Sequence, residues 1–472
     1  MNLRGIGYYL GLFCFPISIL AFINILYSSH FDYFLNVDSY ILVLFSSATL
    51  GLSLFFIGKN STKRINFFDQ LYLIILTYLV ASFFISIPFY FSNSQITFIN
   101  AYFESISGVT GTGFTIFDNI KYLDPTLILW RSSSQWIGGF YFLIFLVVIF
   151  SNKQFNYKLN NLTYNNDGSV NTENNLKKII LKIFLIYFLT SFIIFIVFNA
   201  LDIRLFNSLN LTMTVVSAGG FLPTNNLDQI IKTNGQELFL FVSLTLAVIN
   251  FFFVSNIFNR RKISSEHNED FLLISFIIFS ALAIYLTIEN LNLTQVLISV
   301  ASSLSNSGIT LNNPPQNISL YFLFLSIIGG SLISNTSGIK LMRIYILLKS
   351  TSFEILQLVR PNNVFNQNIL YSEKIINNDN LKSSFLIFIS FFISLFFLSG
   401  FLLADNINFE KSFKLSILTL TNTVDSELFG ITKINFSNML TTSKISLIIF
   451  MIIGKIELLS FFLIIKNTLF KN

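Results

Sequence analysis

Ten apolar runs alternate with polar breaks along this chain, near 6–28, 40–58, 67–92, 126–150, 179–200, 237–258, 270–289, 319–348, 383–404 and 445–468. Each holds about 20 residues or more, the length that crosses a hydrocarbon core of about 30 Å as a helix. Shorter, half-apolar pieces lie near 97–108, 204–216, 292–304 and 410–421. Each stops at a small polar cluster: Thr110-Gly111-Thr112-Gly113, Ser217-Ala218-Gly219-Gly220, Ser305-Asn306-Ser307-Gly308 and Thr421-Asn422-Thr423-Val424. The pattern predicts an all-α integral membrane protein of about ten transmembrane helices. Its expected architecture is four helix–pore-loop–helix repeats around a pseudo-fourfold pore, with two extra helices at the N-terminus. The boundaries follow the breaks: 1–65 for the extra helices, 66–150, 179–262, 263–350 and 383–472 for the repeats, and 151–178 and 351–382 for cytoplasmic linkers.

Taken singly, any one of the short pieces reads as a surface loop or an interfacial helix. Their recurrence changes that. Backbone that is neither helix nor barrel survives at membrane depth only where protein or a water-filled cavity satisfies it. A half-helix that stops there aims the negative end of its dipole at whatever follows, which suits a cation. Replacing an ion's hydration shell needs inward carbonyls, and glycine reaches the required angles without steric cost. Gly113, Gly220 and Gly308 meet that need, and Thr110, Gly111, Thr112, Ala218, Gly219, Asn306, Ser307, Asn422, Thr423 and Val424 complete the candidate ion filter.

Composition agrees with the membrane assignment: 53% of residues are hydrophobic and 11% charged, against about 25% charged in soluble proteins, and mean hydropathy is +0.69. Twenty Lys and Arg fall on the side that also holds the N-terminus and seven on the other, which predicts a cytoplasmic N-terminus and places all four clusters outside. The net charge of +6 is then accounted for by anchoring to membrane lipid, with no nucleic-acid partner. The lone Cys14 allows no internal disulfide, and His30 and His267 form no cluster for a metal or a general base. No cofactor and no enzymatic activity are expected.

The string Leu129-Trp130-Arg131-Ser-Ser-Ser-Gln135-Trp136-Ile137-Gly138-Gly139 follows Asp124-Pro125, and Phe103-Glu104-Ser105 through Gly113 precedes it. Asp69-Gln70, Ile87-Pro88-Phe89-Tyr90, Gly329-Gly330 through Arg343, and Gly454-Lys455-Ile456-Glu457 complete a set that resembles the TrkH/TrkG/KtrB superfamily of potassium uptake proteins. The two leading spans favour the TrkH-like branch. The resemblance implies potassium as the transported ion, a homodimer with one pore per subunit in the cell inner membrane, and a cytoplasmic nucleotide-binding regulatory subunit of the TrkA type. It also implies a gating loop where the second helix of the third repeat breaks below the filter. That loop maps to Gly329–Gly338, with Gly330, Ser334 and Ser337 within it, and Lys455 stands where the family commonly carries an arginine facing the loop. Val424 is a departure, because the family usually has glycine there and β-branching resists positive φ.

A sodium-permeable or weakly selective cation transporter stays open beside potassium uptake, motivated by Val424. A non-transport membrane enzyme or scaffold is the third possibility. It would need buried acids, histidines or a nucleophile with its base, none of which the sequence gathers.

Overall fold

The structure, a computed structural model, describes residues 2–31, 36–60, 65–92, 96–150, 173–258, 267–288, 292–311, 314, 316–360, 376, 378–431, 434–456, 461, 463 and 466. Residues 151–172 and 361–375 of the expected linkers, Glu289 and Glu457 lie outside the described residues, as does most of the chain after Ile456.

Every regular element among the described residues is helical. The chain opens with α1 (Leu3–His30) and α2 (Val37–Gly58), which pack closely because small residues meet. A Cβ on Gly11 would lie 2.6 Å from the Gly51 carbonyl oxygen, and one on Gly51 3.1 Å from that of Gly11. Only glycines allow the two backbones so near one another.

Thereafter one order occurs four times: a long helix, a short helix, a polar cluster, and a second helix. It runs through α3 (Phe67–Ser92), α4 (Phe98–Thr110) and α5 (Pro125–Phe150), then α6 (Glu173–Ala200), α7 (Leu205–Val216), α8 (Asn234–Val248) and α9 (Phe253–Phe258). Next come α10 (Asn268–Thr287), α11 (Leu293–Leu304), α12 (Ser319–Ile328) and α13 (Leu341–Val359), and finally α14 (Asn378–Ala404), α15 (Phe409–Leu420) and α16 (Thr441–Ile456). Local signals set the starts. The Asp124 carboxylate accepts from Thr126 N at 3.2 Å and Thr126 Oγ1 at 2.8 Å, while Pro125 occupies the first helical position, where no N–H is needed.

Seven of these helices, α1, α2, α3, α5, α6, α10 and α14, are long and apolar enough to cross a membrane. Their surroundings separate centre from periphery. The spanning window of α5 is 89% buried and that of α6 only 17%, so α5 is a core helix. The exposed face of α6, with Phe184, Phe188 and Phe192, suits lipid.

The other three expected spans differ from unbroken helices. The run 237–258 breaks at Ile249–Phe252, where Asn250 turns its side chain onto Phe252 N at 2.9 Å and gives its own N–H to Asp270 at 2.7 Å. The run 319–348 breaks between Ile328 and Leu341, with Gly329, Gly338 and Lys340 at φ +66°, +82° and +78°. The last run is described as α16 through Ile456. The two breaks touch: Phe251 N donates to Ile333 O at 2.8 Å and Ser331 N to Val248 O at 2.9 Å.

Candidate functional site

The C-termini of α4, α7, α11 and α15 close in one manner. Gly111, Ala218, Asn306 and Asn422, the second residues of the four clusters, all enter the left-handed region at φ +75°, +55°, +62° and +49°. The residue after each turns back onto its helix in three of them: Thr112 N to Ser107 O at 2.9 Å, Gly219 N to Thr214 O at 2.9 Å and Thr423 N to Leu418 O at 2.8 Å. These are the closing bonds of a Schellman motif, and asparagine is the commonest non-glycine residue to tolerate that cap. Gly113 and Gly308 add a second left-handed position at φ +81° and +61°, which Gly220 and Val424 do not share.

The cluster ends Gly113, Gly220, Gly308 and Val424 come together as lining of one cavity of about 530 Å³, whose walls also carry Asp425 and Glu427. Two hydroxyls fix the backbone just beyond the glycines. Ser107 Oγ donates to Phe114 O and Thr214 Oγ1 to Phe221 O, each at 2.7 Å. At the matching third position Ser302 Oγ meets Ser307 Oγ at 3.2 Å instead. In the fourth, Leu418 has no hydroxyl to offer.

The polar string of α5 braces these loops. Glu104 accepts from Arg131 Nε at 2.8 Å, Ile116 N at 2.8 Å and Thr115 Oγ1 at 3.1 Å, and the guanidinium lies 4.1 Å from the Phe221 ring centre. Gln135 Oε1 accepts from Phe221 N at 3.2 Å, while Gly138 lets α5 rest on α4, since a Cβ there would sit 1.9 Å from Val109 O. With both partners at most 1% exposed, Glu104→Leu strands a charge and is expected to cost about 3 kcal/mol or more. Thermal denaturation in detergent measures it, and the Glu104→Leu/Arg131→Met double variant should lose less than either single change.

Below the clusters, the 329–340 break folds into a compact loop held by two buried lysines. Lys340 Nζ donates to Ser334 Oγ at 3.2 Å, Thr336 Oγ1 at 3.0 Å and the Thr336 carbonyl. Lys455 Nζ reaches the Asn335 carbonyl at 3.2 Å, 4.3 Å from the Phe142 ring centre. A Cβ on Gly111 would be only 3.6 Å from that ammonium. The loop is also tied directly to the clusters. Ser337 N donates to Asn306 Oδ1 at 3.1 Å, Ser337 Oγ to Asn422 Oδ1 at 3.0 Å, and Asn335 Nδ2 to Val216 O at 2.6 Å. Ser337→Ala is expected to cost about 1 kcal/mol less in an Asn422→Gly background than in the native one, by thermal denaturation of the four proteins of the cycle.

The candidate residues thus fall in two groups joined by hydrogen bonds. Thr110 to Gly113, Ala218 to Gly220, Asn306 to Gly308 and Asn422 to Val424 form one, and Gly329, Gly330, Ser334, Ser337, Gly338 and Lys455 the other. Sequence reasoning missed Lys340, one of the twenty Lys and Arg assigned to the side of the N-terminus, which is only 2% exposed. Its signal was available in the hydroxyl-rich run Ser334–Ser337 just before it. Phe142 and Asn250 carried no such signal.

The family model for the TrkH cation transport proteins matches residues 309–469. An uncharacterized cation transporter of Methanocaldococcus jannaschii is 23% identical over 401 residues, covering 80% of this chain and 81% of its own. The Trk system potassium uptake protein TrkG of Escherichia coli is 23% identical over 433 residues, 86% of each chain. The crystal structure of the potassium transporter TrkH from Vibrio parahaemolyticus superposes with a TM-score of 0.85 at 18% identity, over 99% of both chains.

Proposed function

This chain belongs to the TrkH/TrkG superfamily of membrane transport proteins, and from that premise we propose that it takes up potassium through a filter made by its four polar clusters. It is a transporter and not an enzyme. The observation that carries the filter is the shared left-handed turn at Gly111, Ala218, Asn306 and Asn422, with the residues two positions on, Gly113, Gly220, Gly308 and Val424, gathered on one cavity. Helix C-termini that converge this way present carbonyl oxygens and partial negative charge to a cation. The 329–338 loop and Lys455 are the gate. An ammonium beneath the filter donates to loop carbonyls and repels an arriving cation.

Four units at 66–150, 179–262, 263–350 and 383–472 surround that path, with 1–65 outside them. The chain works as a homodimer in the cytoplasmic membrane with its N-terminus inside, and a TrkA-type nucleotide-binding subunit docks on the cytoplasmic face. Potassium is cargo, and no cofactor is required. A second reading, weakly selective or sodium-permeable transport, is favoured by Val424 in place of a fourth glycine.

Uptake of rubidium and sodium isotopes into proteoliposomes, with and without a pH gradient, tests both. Rubidium uptake that excess sodium does not suppress supports potassium. Equal uptake of the two ions supports the second reading, and uptake of neither overturns both.

A further inference from the structure

Three glycine positions from three different quadrants converge on one side chain. A Cβ built on Gly113 would lie 3.1 Å from Val424 Cβ and 3.1 Å from its Cγ2. One on Gly220 would lie 2.6 Å from Val424 Cβ, and one on Gly308 2.5 Å from Val424 Cγ1. In a ring of four quadrants, the place that touches three neighbours at once is the centre. The isopropyl group is half-buried and forms part of the cavity wall beside Asp425.

Building on the potassium filter proposed above, we infer that Val424 is a steric plug at the outer ring of that filter and sets the rate of ion passage. The chemistry follows from the group's nature. A methyl-bearing branch carries no lone pair, so it fills the space a dehydrated cation needs and offers nothing in exchange for lost water. Its β-branch leaves few χ1 rotamers, so it clears the ring only through backbone movement of the fourth cluster or an unfavourable rotamer. That cluster is the one without a hydroxyl at the Leu418 position, so its outer backbone lacks the bond that Ser107 and Thr214 supply in the first two. The plug is therefore mounted on a quadrant free of that restraint, and each ion that passes displaces it.

Rubidium and sodium flux through reconstituted full-length protein tests this, with flux scaled to folded protein from size-exclusion. Trimming the plug is expected to raise rubidium flux in order of removed volume, with Val424→Ala intermediate and Val424→Gly faster by about tenfold, which is about 1.4 kcal/mol of barrier. Val424→Ile is expected to slow it. A merely structural valine would give the opposite sign, because deleting packed methyl groups loosens the site and lowers the active fraction. Val424→Ala guards against a glycine variant that fails to fold. Flux in the wild type that is unchanged or lower in both trimmed variants overturns the plug and leaves the potassium function standing. Absence of rubidium and sodium flux from the wild type and from both trimmed variants overturns that function together with the plug.

Discussion

Valine in place of Gly220 is expected to reduce rubidium uptake to background, a fall of roughly a hundredfold or more, equal to about 2.7 kcal/mol of barrier. A Cβ at this position would stand 2.6 Å from Val424 Cβ and 2.8 Å from the Ser307 carbonyl oxygen, closer than packed atoms tolerate. The first neighbour is a branch point and the second is backbone of the adjacent quadrant, so neither yields by a simple rotamer change. Two further methyls would then enter a ring that already holds one isopropyl group. Gly308→Val should act alike, with added strain from φ +61°. Gly113→Val combines both causes, at φ +81° and 3.0 Å from Gly220 Cα. Proteoliposome uptake normalised to folded protein measures the effect, and undiminished uptake in all three variants would mean that the clusters do not line the ion path.

Removing the ammonium beneath the clusters should act in the other direction. Lys455→Ala is expected to raise basal flux about tenfold in the absence of any regulatory subunit, and Lys455→Arg to keep it low. Lys455 is only 2% exposed, and its recorded partners are the Asn335 carbonyl and the Phe142 ring, neither of which carries a neutralising charge. Two unit charges about 4 Å apart repel by roughly 4 kcal/mol at the effective dielectric of a protein edge. The same substitution frees Asn335, whose side chain donates to Val216 O at the end of α7. Basal flux that is flat or reduced at equal protein would make Lys455 a structural residue.

The apolar pattern made most of the helices legible, because crossing a bilayer imposes length and composition on each segment independently of its neighbours. The short pieces expected near 204–216 and 292–304 match Leu205–Val216 and Leu293–Leu304, since each ends where small polar residues replace apolar ones. The break at Asn250 was hidden. It stands in an apolar stretch with no glycine or proline beside it, and what opens the helix there is Asp270, twenty residues on. Lys340 was misplaced for a related reason: it was counted with the other Lys and Arg of the cytoplasmic side, and only the folded loop shows four oxygen acceptors around it. For the clusters, the glycines were visible as composition. The left-handed turns at Ala218, Asn306 and Asn422 were not, because alanine gives no sign of such angles and asparagine tolerates them without requiring them. Nor could the sequence tell that the Val424 side chain meets three partners that are remote along the chain.

Ser337 gives its N–H and hydroxyl to the side-chain oxygens of Asn306 and Asn422, and the amide nitrogens of those asparagines are held by Ser326 O, Thr423 Oγ1, Thr112 Oγ1 and Met451 O. Were the loop to withdraw, these two amides would keep their anchors while their oxygens lost their donors. If that loop is the gate proposed above, both oxygens would then be bared as ready-made substitutes for water, and opening would also supply ligands to an ion leaving the clusters.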